Sequence, residues 1–207
     1  MDVHAPSQPV HNWRDFMTHL VIVTIGLFIA LMMEAGVEWL HHRHIVREAR
    51  ANIRVELESN HQSAQQDIQL LQANIDHLQA NIATLHTMRD NPKNKDGSLI
   101  NTMSFNSFDE AAWNTARDTG ALAYMPYEEV QGYSDLYMLS SIINAKAVST
   151  GEREYTAMAP MMMGDDKLSP DTYTAMMHDD ATSIIQLVAL QQYTRQYDQI
   201  CVAQLKK

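Results

Sequence analysis

Residues 16–40 read FMTHLVIVTIGLFIALMMEAGVEWL, and residues 16–33 contain no Asp, Glu, Lys or Arg. Only Glu34 and Glu38 interrupt the apolar run before Leu40. At about 1.5 Å per residue, a helix over this stretch is ~37 Å long, enough to cross a hydrocarbon layer ~30 Å thick. Its most apolar part, residues 20–33, would reach only ~21 Å, so polar residues at the ends belong at headgroup level. A core helix of a soluble domain would show a polar face, and none exists between Leu20 and Met33. A cleaved signal peptide would need a basic start, a shorter apolar stretch and a small-x-small cleavage site. Residues 1–15 instead hold one Arg and two acids. The segment reads as a retained transmembrane helix.

The flanks bear on orientation and partners. Arg43, Arg47, Arg50 and Arg54 follow the span at spacings of 4, 3 and 4, which places them along one helix face. Such a face fits anionic lipid headgroups, and equally a solvated surface paired with Glu48, Glu56 and Glu58. The C-terminal side has four basic residues near the span and the N-terminal side one, so the positive-inside rule puts the large domain in the cytoplasm. The common N-in orientation of short-tailed anchors, for which Arg14 suffices, gives the opposite placement. A net charge of −10 argues against a nucleic-acid partner, which needs a clustered basic surface. The single cysteine, Cys201, cannot form an intrachain disulfide, so it leaves the redox compartment open.

The rest of the chain predicts an all-α fold. One transmembrane helix continues into a long stalk helix, followed by an antiparallel helical bundle. The predicted parts are a mobile tail over 1–15, the span over 16–40, a stalk over 41–90, a loop over 91–104, and a bundle domain over 105–207 packing on the stalk. No Pro or Gly occurs from Val37 through Asn91, so nothing breaks the helix there. Ile68, Leu71, Ile75, Leu78, Ile82 and Leu85 alternate at spacings of 3 and 4, a heptad seam with Ile at a and Leu at d. A short repeat, LQANI at 71–75 and again at 78–82, makes the period visible. The flanking positions Gln72, Asn74, Gln79, Asn81, His86 and Met88 are uncharged, so no salt bridges select a partner. The seam suits either a parallel homodimer or later helices of the same chain, which short loops would make antiparallel.

Asn91-Pro92 through Gly97 predicts a turn, and Asp109 a cap for a helix over 110–119 stopped by Gly120. Pro126 marks the start of a helix running to about Thr150, with Val130, Tyr133, Tyr137, Leu139 and Ile143 apolar. Ser169-Pro170 is an N-cap and N1 pair for a last helix reaching about Gln204. Its apolar face takes in Tyr173, Met176, Met177, Ile184, Leu187, Val188, Leu190, Tyr197 and Ile200.

Candidate chemistry is weighed against simpler roles. Glu38…His41 and Glu58…His61 have the Glu-x-x-His spacing of helical di-iron proteins, but they lie on one helix about 30 Å apart. His41, His42 and His44 beside Trp39 fit a membrane edge without any metal, and also a pH or metal sensor. Met161, Met162 and Met163 with Asp165, Asp166, Met176, Met177 and His178 have the soft-ligand content of copper-binding segments. Packing is the commoner use of such methionines. Asp179 and Asp180 read as a solvated helix face, and Cys201 as a small buried residue. Glu34 and Glu38 could serve an ion path, but they lie at the wet end of the span. Gly26-x-x-x-Ala30 permits close contact between helices in a bilayer. No phosphate loop, Gly-x-Ser-x-Gly, Cys-x-x-Cys or His-Glu-x-x-His occurs. No catalytic, cofactor or metal residue is therefore assigned.

The run Ile25-Gly26-Leu27-Phe28-Ile29-Ala30-Leu31, then Glu38-Trp39 and the charged stretch to Glu56-Leu57, resembles an uncharacterised group of bacterial single-span membrane proteins. Residues 108–122, FDEAAWNTARDTGAL, are similar to a helix-then-Gly stretch in the same group. The likeness covers the first 60 residues or so and this patch. It implies a bacterial inner-membrane location and a helical soluble part, with no activity attached. The expected function is a membrane-anchored helical scaffold or accessory protein without catalytic activity. Its partners would be the bilayer and a protein or a second copy, met through the span (Gly26, Ala30) and the stalk seam. The alternative is a membrane-tethered sensor or binding module for a metal or small ligand in the bundle.

Overall fold

The computed structural model describes residues 12–91, 97–163 and 168–206. The predicted turn at 92–96, the tail up to residue 11, and Asp165 and Asp166 lie outside the described residues. The described residues form α1 (Trp13–Asp90), α2 (Ala111–Asp118), a 3-10 turn (Ala121–Tyr124), α3 (Tyr127–Ala157), α4 (Ala159–Met162) and α5 (Pro170–Leu205). None of them is in a strand, and the fold is all-α. The chain divides into two compact units between Glu48 and Ala49.

In the first unit, α1 is long and apolar enough to cross a membrane, and none of its most apolar window is buried. Large apolar side chains such as Leu20, Ile22, Leu27, Phe28 and Met32 are all exposed. Within this chain the stretch does not pack as a core helix, whose apolar stripe would be covered. Thr18 and Thr24 donate their hydroxyls to the carbonyls of Arg14 and Leu20 one turn earlier. Trp13 stacks on Phe16, and the Arg43 guanidinium lies 4.6 Å over the Trp39 ring.

The second unit is a three-helix bundle. Its buried positions step by 3 and 4 on each long helix, the spacing that keeps one stripe facing its neighbours. On α1 the stripe includes Ile53, Leu57, Ala64, Leu71, Leu78 and Leu85; on α3, Leu136, Ile143 and Ala147; on α5, Leu187, Leu190, Tyr197 and Cys201. Hydrogen bonds fix the directions. Arg50 binds Glu129 and Tyr137 binds Glu56, so α1 and α3 rise together. His61 pairs with Asp198, and Gln191 donates to the Ile68 carbonyl, so α5 runs against α1. The sequence predicted antiparallel neighbours joined by short loops. The parallel α1–α3 pair departs from that because residues 97–110 return along α1 before α2 begins.

Helix ends follow local chemistry, with one correction. Ser169 Oγ accepts the Thr172 N–H and Pro170 opens α5, as expected. Gly120 stops α2 with φ of 75°, a conformation that costs a side-chain-bearing residue strain. Asp109 does not cap α2: Glu110 holds the N-cap position without a side-chain bond, and the cap arrives from α1. The predicted seam is also rotated. Leu71, Ile75, Leu78 and Leu85 are buried within this chain, but Ile68 and Ile82 are only half-buried, while Asn74 and Asn81 are 4% and 1% exposed. The Leu row is the centre of the stripe, and an Asn row forms its second edge.

Candidate functional site

Asn60, Asp67, Asn74 and Asn81 recur every seven residues on α1, and all four are buried. Seven residues are about two helical turns, so the four side chains lie in one line. Each meets the non-helical segment 97–110. Asn81 accepts the Ile100 N–H at 2.8 Å and donates to the Ile100 carbonyl at 2.9 Å. Asn74 does the same for Ser104, at 3.2 and 2.8 Å, and Asn60 for Asp109, at 2.8 and 2.8 Å. Asp67 accepts both the Asn106 N–H, at 2.7 Å, and its Nδ2, at 2.9 Å. Across the groove, Asn144 of α3 repeats the two-bond pattern on Phe108.

Length accounts for the match. From Asn60 to Asn81 the helix rises about 32 Å, and the nine steps from Ile100 to Asp109 can cover about 32 Å only when nearly fully extended. Three extended residues therefore fit one heptad of helix on average, the individual steps being four, two and three. An extended segment lying alone beside a helix has no ladder of its own, so its backbone groups need side-chain partners. A carboxamide carries both an acceptor oxygen and a donor NH2 group, so it can satisfy both backbone groups of a single residue. Asp67 accepts only, and it stands where two donors converge. Gly97 starts the strap in tight contact, since a Cβ there would come within 2.6 Å of Thr84 Cγ2. Phe108 ends it, buried and stacked on Tyr197 with ring centroids 4.4 Å apart.

The strap hands over to α2 through Glu56. This buried carboxylate accepts the Ala112 N–H at 2.7 Å, the Trp113 N–H at 3.3 Å and the Tyr137 hydroxyl at 2.6 Å. A negative charge at a helix N-terminus is favourable, and Glu56 supplies what Glu110 does not. Trp113 lies flat on Tyr137 at 5.2 Å. Burial, then the bond to Glu56, pushes the Tyr137 hydroxyl pKa up.

A second polar group differs in kind. Glu154 of α3 and Asp180 of α5 are buried, and their carboxyl oxygens have no hydrogen-bond partner. Burial raises both pKa values, and Glu154 and Asp179 add to the effect on Asp180, which is pushed up to about 7. The sequence placed Asp180 on a solvated face; it is 1% exposed, because it falls on the 3/4 row that faces α3.

The other sequence candidates are dispersed. Glu38 lies 3.8 Å from His42, not His41, and His44 lies 3.8 Å from Glu48. Glu58 pairs with Arg54, while His61 Nδ1 is 2.6 Å from Asp198. Among the described residues no three His, Cys, Asp or Glu side chains gather to hold a metal. Met158, Met176 and Met177 pack with Leu85 in a core cluster that Met161 flanks, whereas Met162 and Met163 are exposed. His178 is exposed. Cys201 is buried, its thiol donating to the Leu57 carbonyl, and burial pushes it up to about 12. Glu34 and Glu38 line an open groove with Met33, Val37 and His41. No family model matches this chain, and neither a curated protein nor a solved structure shows a significant match.

Two predictions follow from the polar groups. Asn74→Leu leaves a backbone N–H and carbonyl unpaired and is expected to destabilise the detergent-solubilised full chain by about 3 kcal/mol in denaturant unfolding. Asp67→Asn keeps an oxygen for both donors and should cost under about 1 kcal/mol; equal losses would refute the strap chemistry. Asp180 and Glu154 hold protons more tightly folded than unfolded, so stability in chelator-containing buffer should be greatest near pH 4 and fall as pH rises towards 7 and above. The loss traceable to Asp180 is on the order of 4 kcal/mol. Asp180→Asn should flatten that fall and be more stable than the parent at pH 8, measured by thermal unfolding.

Proposed function

We propose that this protein is a single-span membrane scaffold or accessory subunit of the bacterial inner membrane, acting by binding another protein rather than by catalysis. The observation that carries this is the uncovered apolar stretch 20–33, present in a chain whose second unit closes its own core. Exposed side chains such as Val21, Ile25 and Leu31 are stable in hydrocarbon and strongly unfavourable in water. Trp13 and Trp39 lie about 39 Å apart along the helix, a spacing that suits the two interfaces of a bilayer. The inner-membrane assignment leans on the resemblance of residues 25–31 and 38–57 to bacterial single-span proteins.

Association within the bilayer falls to Gly26 and Ala30. Nothing lies within 4 Å of a Cβ built on Gly26, so a second helix can approach there. The stalk residues Leu71, Ile75, Leu78 and Leu85 are already covered by this chain, so a dimer through that seam would have to displace its own packing. The charge bias of Arg43, Arg47, Arg50 and Arg54 favours a cytoplasmic bundle.

Fractionation and a topology fusion test the proposal together. The protein should stay with membranes after alkaline carbonate washing, and a C-terminal reporter active only in the cytoplasm should give signal. Recovery in the carbonate supernatant, or a mature form beginning beyond Leu40, would overturn the anchor. Signal only from a reporter active outside the cytoplasm would overturn the orientation. Pull-down from native membranes should return a co-purifying protein, and repeated recovery of this chain alone would count against an accessory role.

A further inference from the structure

Most buried polar side chains of the bundle have partners: Asn60, Asp67, Asn74 and Asn81 hold the strap, and Glu56 holds α2 and Tyr137. The exceptions concentrate at one place between α3 and α5. All four carboxyl oxygens of Glu154 and Asp180 lack a partner, although the residues are only 4% and 1% exposed. Ser183, one turn further along α5 and fully buried, lies beside Glu154, where its hydroxyl partly offsets the rise in the Glu154 pKa without forming a well-aligned hydrogen bond. Elsewhere among the described residues the unpaired buried side-chain atoms are single ones, His77 Nδ1 and the Tyr197 hydroxyl.

Charge makes the place more unusual. Asp179 adds negative potential at both carboxyls, and among the described residues no Lys, Arg or His contributes to either. Two buried carboxyl groups that share one serine hydroxyl, with no positive charge acting on either, describe half of an interaction. An open cleft of about 360 Å³, lined by Ser149, Glu152, Arg153, Thr156, Ala157 and Asp179, lies among their sequence neighbours, although Glu154, Asp180 and Ser183 do not themselves line it.

We propose that Glu154, Asp180 and Ser183 form a binding site for a hard divalent cation, which ties α3 to α5. All three donors are oxygen, which suits Mg²⁺, Ca²⁺ or Mn²⁺ and not the softer metals that seek His or Cys. Two carboxylates and a hydroxyl leave several coordination positions for water, and Mg²⁺ in particular keeps part of its hydration shell when bound. The neighbouring thioethers of Met158, Met176 and Met177 pack among themselves and are poor ligands for such ions. The site is independent of the anchor and scaffold function proposed above.

Thermal unfolding of the full chain in detergent tests it, after chelator treatment and at pH 8. Adding MgCl2, CaCl2 or MnCl2 should raise the midpoint saturably, by about 5 °C or more at ~100 times the dissociation constant. Glu154→Gln and Asp180→Asn should fold with midpoints at or above that of the metal-free parent and lose the response. Ser183→Ala should weaken the response while leaving the metal-free midpoint near the parent's. Mn²⁺ electron paramagnetic resonance should count one bound ion per chain, absent in Asp180→Asn. The proposal fails if none of the three ions shifts the parent, with acidification alone restoring its stability, for then a proton neutralises the pair. It fails equally if Asp180→Asn responds as strongly as the parent.

Discussion

An extended peptide packed beside a helix presents N–H and carbonyl groups that neither helix nor sheet can satisfy, and the bundle depends on how they are met. Four side chains at seven-residue intervals on α1, with Asn144 facing them from α3, bond the backbone of residues 97–110. The chemistry reads mainly backbone, with the Asn106 side chain also bound by Asp67, a small residue at Gly97 and Phe108 filling the core. With the strap in place the chain returns along α1, and α3 can lie parallel to it. Without it, the connection would favour a reversed third helix and a different set of buried faces.

The strap also explains why the core tolerates so much polarity. Asn, Asp and Glu occupy positions that a coiled coil would fill with Leu or Ile, and a buried polar group without a partner is costly. Glu56 shows the successful form, with three donors converging on one carboxylate and a helix N-terminus behind two of them. Glu154 and Asp180 show the other form, with burial and no well-formed hydrogen bond. Both groups sit on strict 3/4 rows, so burial follows from helical geometry and only the neighbours differ.

Two kinds of surface occur in this chain. Along residues 20–33 the apolar side chains point outward on every side, and the hydroxyls of Thr18 and Thr24 turn back onto their own helix. In the bundle the pattern inverts, with apolar and bonded polar rows inside and charge pairs such as Arg54–Glu58 outside. Arg50 and Glu129 join α1 to α3 with two bonds of 2.7 Å, and the bond to Glu129 raises the Arg50 pKa further.

The sequence alone determined the apolar segment, the all-helical class, the Ser169-Pro170 start of α5 and the Gly120 stop, because each depends on residues close together in the chain. The LQANI repeat even displayed Asn74 and Asn81, and Asn60 and Asp67 continue the same seven-residue interval. Their role stayed hidden because a carboxamide at a heptad flank is equally compatible with solvent, and only the strap from 19 to 49 residues away supplies its partner. Asp180 looked solvated for the same reason: its neighbours in sequence are polar, while its neighbours in space are Glu154 and the core. Local composition sets which helices form; which stripe of each is buried, and whether a polar group on it finds a donor, is decided by contacts between distant segments.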